Sequence, residues 1–300
     1  MSQAMRPARP APGRGRGPVR PVAAPAARSA QFRDVLHGEW TKLRTLPGTS
    51  WLLLSAAALT IAVSAATVIG TGAANGCQAA RGGCLAAVTG TDPAKISLIG
   101  VYLGQAVLAV LAVLVIGGEY DTGMIRVTLT AAPRRLTLLA AKAVVVTGCA
   151  LAAGAVAAGG SFLAGRLIEP GRGLTAANGY VPLSLGNGAD LRAVAGTVLY
   201  LTLVALLALG ITTAARDSAV GIGVVLGLLY LFPVITAVIP DHILARHLEQ
   251  ASPTTAGLYI QATVAVRSLP LTPWQGLGVT ALWAAGALLL GALALRLRDA

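Results

Sequence analysis

The sequence predicts an all-α integral membrane protein with six transmembrane helices, preceded by an amphipathic helix at the membrane interface. Three observations carry that prediction. Of the 300 residues, 55% are hydrophobic and only 11% charged, against roughly 25% charged in a soluble domain. The apolar residues gather into segments of about 20, each long enough to cross a hydrocarbon layer of ~30 Å. Those segments are continuously apolar rather than alternating, which favours helices over a barrel.

Residues 1–29 form a tail rich in Pro, Arg, Ala and Gly. It lacks the apolar periodicity of a core and is expected to be disordered. It has no early apolar core of a cleavable signal, so the first span is expected to serve as the signal. Its arginines suit either anionic head groups or plain solvation.

Residues 30–46 are different. Phe32, Leu36, Trp40, Leu43 and Leu46 recur at helical spacing and draw one apolar stripe. Arg33, Asp34, His37, Lys42 and Arg44 lie largely off it. With a span following at once, the natural reading is a helix resting on the inner leaflet, with Trp40, Lys42 and Arg44 at the head groups. An amphipathic helix packed on a partner is the alternative. Pro47 and Gly48 then turn the chain.

The transmembrane domain fills 47–300, with spans predicted near 50–72, 96–117, 138–164, 193–214, 218–239 and 274–295. None carries a charge at its middle, where one would cost about 2.5–3.5 kcal/mol. That argues against a proton relay or buried ion path. Gln105 is the most polar residue deep in a span, read as a helix-to-helix hydrogen bond. Small residues such as Gly154 and Gly223 permit close helix contact. Pro233 is expected to kink the fifth span.

An even number of spans puts both termini on one side. Most of the 23 Lys and Arg residues then fall in the terminal segments and the connections after the second and fourth spans, so these are assigned to the cytoplasm. The net charge of +12 reads chiefly as topology rather than a nucleic-acid footprint. On the outer side, Cys77 and Cys84 are spaced to close a small disulfide loop, and two independent thiols are the other reading. His242, His247 and Glu249 match no metal-site spacing. The apolar middle of 240–273 is suited to a short re-entrant helix.

No Lys follows a Gly, so there is no phosphate-binding loop of the Walker type, and no zinc-protease or serine-hydrolase motif occurs. An enzyme, or a protein with a cofactor of its own, is not the reading the sequence supports. The chemistry concentrates instead in "GEYDTGMIRVTLTAAPRRLTLLAAK", Gly118 to Lys142. A charged cytoplasmic connection of this kind suits docking of a soluble partner. Glu119, Tyr120, Asp121, Arg126, Arg134 and Arg135 are the candidate docking residues, the arginines as forked donors. A short helix is expected near 122–130. For Arg134, Arg135 and Lys142 the simpler reading is that they set topology and snorkel to the surface.

Three stretches resemble the actinobacterial ABC-2 type permeases. They are "HGEWTKLRTLPGTSWLLL" before the first span, the charged connection above, and "SLPLTPWQGLG" through the last span to "RLRDA". Met124 stands where the family pattern suggests Thr. The resemblance implies a six-span subunit of an ABC exporter in the plasma membrane, paired with a second permease subunit, identical or related. It implies a separate ATPase subunit that hydrolyses ATP, and a hydrophobic or amphipathic substrate. The 118–135 segment would map onto the coupling region. The rival reading is a membrane anchor or regulatory protein that docks a soluble partner without transport.

Overall fold

The computed structural model describes residues 26–45, 47–74, 92–125, 135–176, 180–264 and 266–297, and among these no strand occurs. Six helices are long and apolar enough to cross a membrane, and the chain is accordingly a multi-pass membrane protein in its architecture. The first helix, α1, runs Ala26–Thr45 and the first span, α2, Pro47–Ala74. A five-residue helix α3, Pro93–Ser97, precedes α4, Val101–Asp121. Then come α5, Arg135–Ile168, α6, Gly188–Ala215, and α7, Ser218–Val238. Two short helices, α8 (His242–Ala251) and α9 (Pro253–Leu258), lead into the last span, α10, Pro273–Leu297.

The spans alternate in direction. One end of the bundle therefore carries α1, the end of α4, the start of α5, the α6–α7 turn and the end of α10. The opposite end carries α3, a 3₁₀ turn at Glu169–Arg172, α8 and α9. Of the six, α6 is the most buried and α7 the least. α6 packs chiefly on α10, α5 and α4, while α2 rests on α5 and α4, and α1 on α5. The main core lies where Tyr200, Leu201, Val204 and Leu209 of α6 meet Leu108, Ala112 and Ile116 of α4.

Local chemistry sets the helix ends. Asn187 accepts from the Ala189 N–H to cap α6, and Asp217 accepts from the Val220 N–H to cap α7. Between α6 and α7 the chain turns within two residues, because Arg216 adopts a left-handed conformation (φ 62°) and Asp217 caps at once. α4 ends at Gly123, also left-handed (φ 70°). Helix crossings depend on absent side chains, as at Gly210 and Gly276. A Cβ on Gly210 of α6 would lie 2.4 Å from the Ala287 carbonyl carbon of α10, and one on Gly276 would lie 2.0 Å from the Ala256 carbonyl oxygen of α9.

Each expected span has a helix, with the bounds shifted. The second helix runs on to Asp121, so Glu119, Tyr120 and Asp121 lie in its last turn rather than in a loop. The third has 34 residues, about 50 Å at the helical rise, and so outreaches a ~30 Å hydrocarbon layer. The amphipathic helix starts at Ala26, inside the segment expected to be disordered. The apolar middle of 240–273, expected as a re-entrant helix, begins within α9, and Ala256, Gly257 and Ile260 there are buried, with α9 packed against α10 and α7. Met124 and Ile125 are helical, as expected for the start of a short helix. The remainder of the segment where that helix was expected, with Arg126, lies outside the described residues, as do Arg134, Cys77, Cys84 and residues 1–25.

Candidate functional site

The largest concentration of charge sits where α1 meets α4 and α5. Glu39 and Lys42 come from α1, Glu119 from the last turn of α4, and Lys142 from the second turn of α5. Lys142 Nζ donates to Glu39 Oε2 at 2.7 Å, Glu119 Oε1 at 2.9 Å and the Val115 carbonyl at 3.2 Å. Those three bonds use all three protons of its ammonium. Lys42 Nζ donates to Glu39 Oε1 at 3.0 Å and to Glu119 Oε1 at 2.9 Å. Two acids and two bases thus form one neutral network, which a low-dielectric setting requires of buried charge.

Burial divides the four. The side chain of Lys142 is 1% exposed, Glu39 5%, Glu119 12% and Lys42 41%. Lys42 therefore seals the network on the solvent side. Burial alone would lower its pKa, but the hydrogen bonds and charges of Glu119 and Glu39 outweigh that and raise it. It stays protonated at any physiological pH. Beside the network, Leu43 and Leu36 of α1 pack on Val145 and Cys149 of α5. Polar and apolar contacts thus hold the same helix pair.

One expectation is corrected here. Lys142 was expected at the surface as a topology charge. It is instead the most buried member of the network, because two carboxylates reach it from segments distant in sequence. The stripe of Phe32, Leu36, Trp40 and Leu43, expected to rest on the inner leaflet with Trp40 at the head groups, does not form one face buried within the protein. Instead Glu39 and Leu43 are buried, Phe32 and Leu36 are half-buried, and Trp40 is 50% exposed. The face is rotated because α1 packs on α5 through an ion pair as well as through its leucines. Trp40 and Arg44, both exposed, are left on the outward side.

The other candidate docking residues tie helices together at the same end. Asp121 accepts a hydrogen bond from the Ser218 hydroxyl at the start of α7. Arg135 Nη1 donates to the Leu295 carbonyl of α10 at 2.8 Å. Arg216 Nη2 donates to the Ala294 carbonyl at 2.9 Å. Tyr120 is half-buried and packs on the main core. Glu119, Asp121 and Arg135 thus each bond to the chain's own helices. Glu39 and Arg216 had not been singled out. The one sequence signal for Glu39 was an acid at i−3 to Lys42 on a helix, which ordinarily marks a solvated surface pair.

A second polar region lies within the bundle. Tyr200 Oη donates to Gln105 Oε1, which bears out the helix-to-helix bond expected of Gln105, and Tyr230 Oη donates to the Tyr102 carbonyl. Thr254 of α9 donates to the Leu229 carbonyl at 2.8 Å, and Thr280 of α10 to the Pro253 carbonyl at 2.8 Å. The first of these takes up the carbonyl four residues before Pro233, whose ring supplies no N–H to it inside α7. At the far end, Asp92 caps α3 and accepts from the Thr263 hydroxyl at 2.7 Å and the Val264 N–H at 3.0 Å.

The arrangement offers mechanical continuity. A push on α1, or on the segment after α4, meets a joint that cannot slide without separating buried charges. No protein-family model matches the chain, and no curated protein does.

Proposed function

We propose that this chain is the membrane-spanning subunit of an ATP-driven exporter of the ABC-2 permease type. It takes its power from a separate ATPase subunit docked on the cytoplasmic face. The observation that carries the reading is the buried network of Glu39, Lys42, Glu119 and Lys142. It fastens a peripheral helix to the ends of two spans, as a device that converts an external push into span movement must. In this reading the exposed face of α1, with Trp40 and Arg44, and the 126–134 segment meet the ATPase and the head groups. Glu119 is a positioning residue that holds them. Two permease subunits pair around the path of a hydrophobic or amphipathic substrate. ATP-loaded partners bind one conformation of the joint better than the other, and that difference drives the spans between states.

The test is retention of an ATPase subunit by the tagged chain in detergent, taken from its own host. Arg44→Glu combined with Arg126→Glu is expected to abolish retention while leaving thermal unfolding unchanged. Labelling of a cysteine placed in 126–134 by a membrane-impermeant reagent in intact cells would overturn the assignment. Retention of some other soluble protein, with no ATPase, would support the anchor or regulatory reading instead.

A further inference from the structure

A groove of about 770 Å³ runs along the membrane-facing surface between α7 and α10, with α6 as its floor. Leu207 and Ile211 of α6, Val224 of α7, and Trp283, Gly286 and Leu290 of α10 form its walls. Gln250 and Ala251 at the end of α8 close it at the level of Trp283, whose indole N–H donates to the Ala251 carbonyl at 2.9 Å. At the other end the stripe of Trp283, Ala287 and Leu290 continues to Ala294. The Ala294 carbonyl accepts from Arg216, and Arg296, two residues further along α10, is exposed.

We infer that this groove seats one acyl chain of an anionic phospholipid from the leaflet on the α1 side, with its phosphate at Arg216 and Arg296. Length supports this occupant. On α10 the lining runs from Val279 to Leu290, a rise of ~16 Å and about half of a ~30 Å hydrocarbon layer, so the groove is one leaflet deep. It is shut at mid-membrane by α8 and basic at its mouth, where an anionic head group would lie. Its walls are almost wholly apolar, so neither a polar solute nor water has partners there. The inference needs only the membrane-spanning architecture, not the transport reading.

The experiment uses the fluorescence of Trp283. Trp40, Trp51 and Trp274 are 50%, 72% and 59% exposed and are changed to Phe, leaving Trp283 alone of the four tryptophans. The full chain is reconstituted in vesicles with rising fractions of phosphatidylglycerol brominated deep in its acyl chains. Quenching is expected to saturate at a low fraction of brominated lipid. Gly286→Leu, at a position where a Cβ meets no atom within 4 Å, is expected to remove the saturating component. Val224→Phe on the opposite wall should do the same. Arg216→Gln and Arg296→Gln should each raise the half-saturating fraction roughly fivefold for this lipid, the effect of one arginine at an anionic surface. Brominated phosphatidylcholine should show no such change. Quenching that merely follows the bulk fraction and ignores Gly286→Leu would overturn the inference. So would Trp283 unquenched at every depth, which would mean that protein, such as a second copy, covers the groove. Either result leaves the ATPase-retention test unaffected.

Discussion

Replacing Lys142 with Met tests the joint most directly. The thioether side chain keeps much of the apolar stem and removes only the ammonium. In the wild type that group, 1% exposed, pairs with Glu39 at 2.7 Å and Glu119 at 2.9 Å. Its loss leaves two carboxylates, 5% and 12% exposed, facing Lys42 alone. Breaking a buried pair from one side costs about 3–5 kcal/mol, since the remaining charge stays buried without compensation. At about 2–4 °C per kcal/mol, apparent Tm should fall by about 6–20 °C, followed by tryptophan fluorescence in detergent. Lys42→Met removes a cation that is 41% exposed, where water screens the interaction, so its effect should stay near ~1 kcal/mol. Adding Glu39→Gln to Lys142→Met removes one stranded charge and should restore part of the loss, giving a coupling of about 1–3 kcal/mol in the cycle. Protease cleavage within α1 should rise in Lys142→Met and not in Lys42→Met. A Tm within about 1 °C of wild type for Lys142→Met, or an equal fall for Lys42→Met, would refute the view that the buried lysine locks α1 to the spans.

Other consequences are independent of this one. Gly210→Ala should destabilise by about 2 kcal/mol or more through overpacking, because its Cβ would press on α10 backbone. Gly286→Ala, in open space on the same helix pair, should be neutral or gain about 0.5–1 kcal/mol from helix propensity. Matched thermal scans would distinguish them, and similar falls for both would contradict the close crossing of α6 and α10. Asp92→Ala removes the α3 cap and the acceptor that binds Thr263 and Val264. A loss of about 1.5–3 kcal/mol is expected, the range for hydrogen bonds to a charged group. Hydrogen exchange should accelerate at residues 263–264, and unchanged exchange there would count against the tie. Ser218→Ala removes the donor to Asp121, and faster exchange at the start of α7 is the expected readout.

The sequence by itself determined the six spans, their alternation and the amphipathic start, because each is a property of one contiguous segment. An apolar run of about 20 residues has few other stable solutions in or out of a bilayer. It also singled out Gln105, whose polarity stands out against its own helix. Tertiary structure alone decided what the charges do. Glu39, Glu119 and Lys142 lie in three segments, with Lys142 lying 23 residues from Glu119 and 103 from Glu39, and helical periodicity extends only over neighbouring turns. Lys142 and Arg135 open the same helix and look alike on paper. One points between α1 and α4 and meets two carboxylates, while the other reaches a carbonyl of α10. The rotation of α1 that buries Glu39 and exposes Trp40 has the same origin, since an ion pair with a partner helix outweighs the local apolar stripe. The groove beside Trp283 is likewise a matter of assembly, since it exists only because α7 and α10 flank α6 and leave a gap between them.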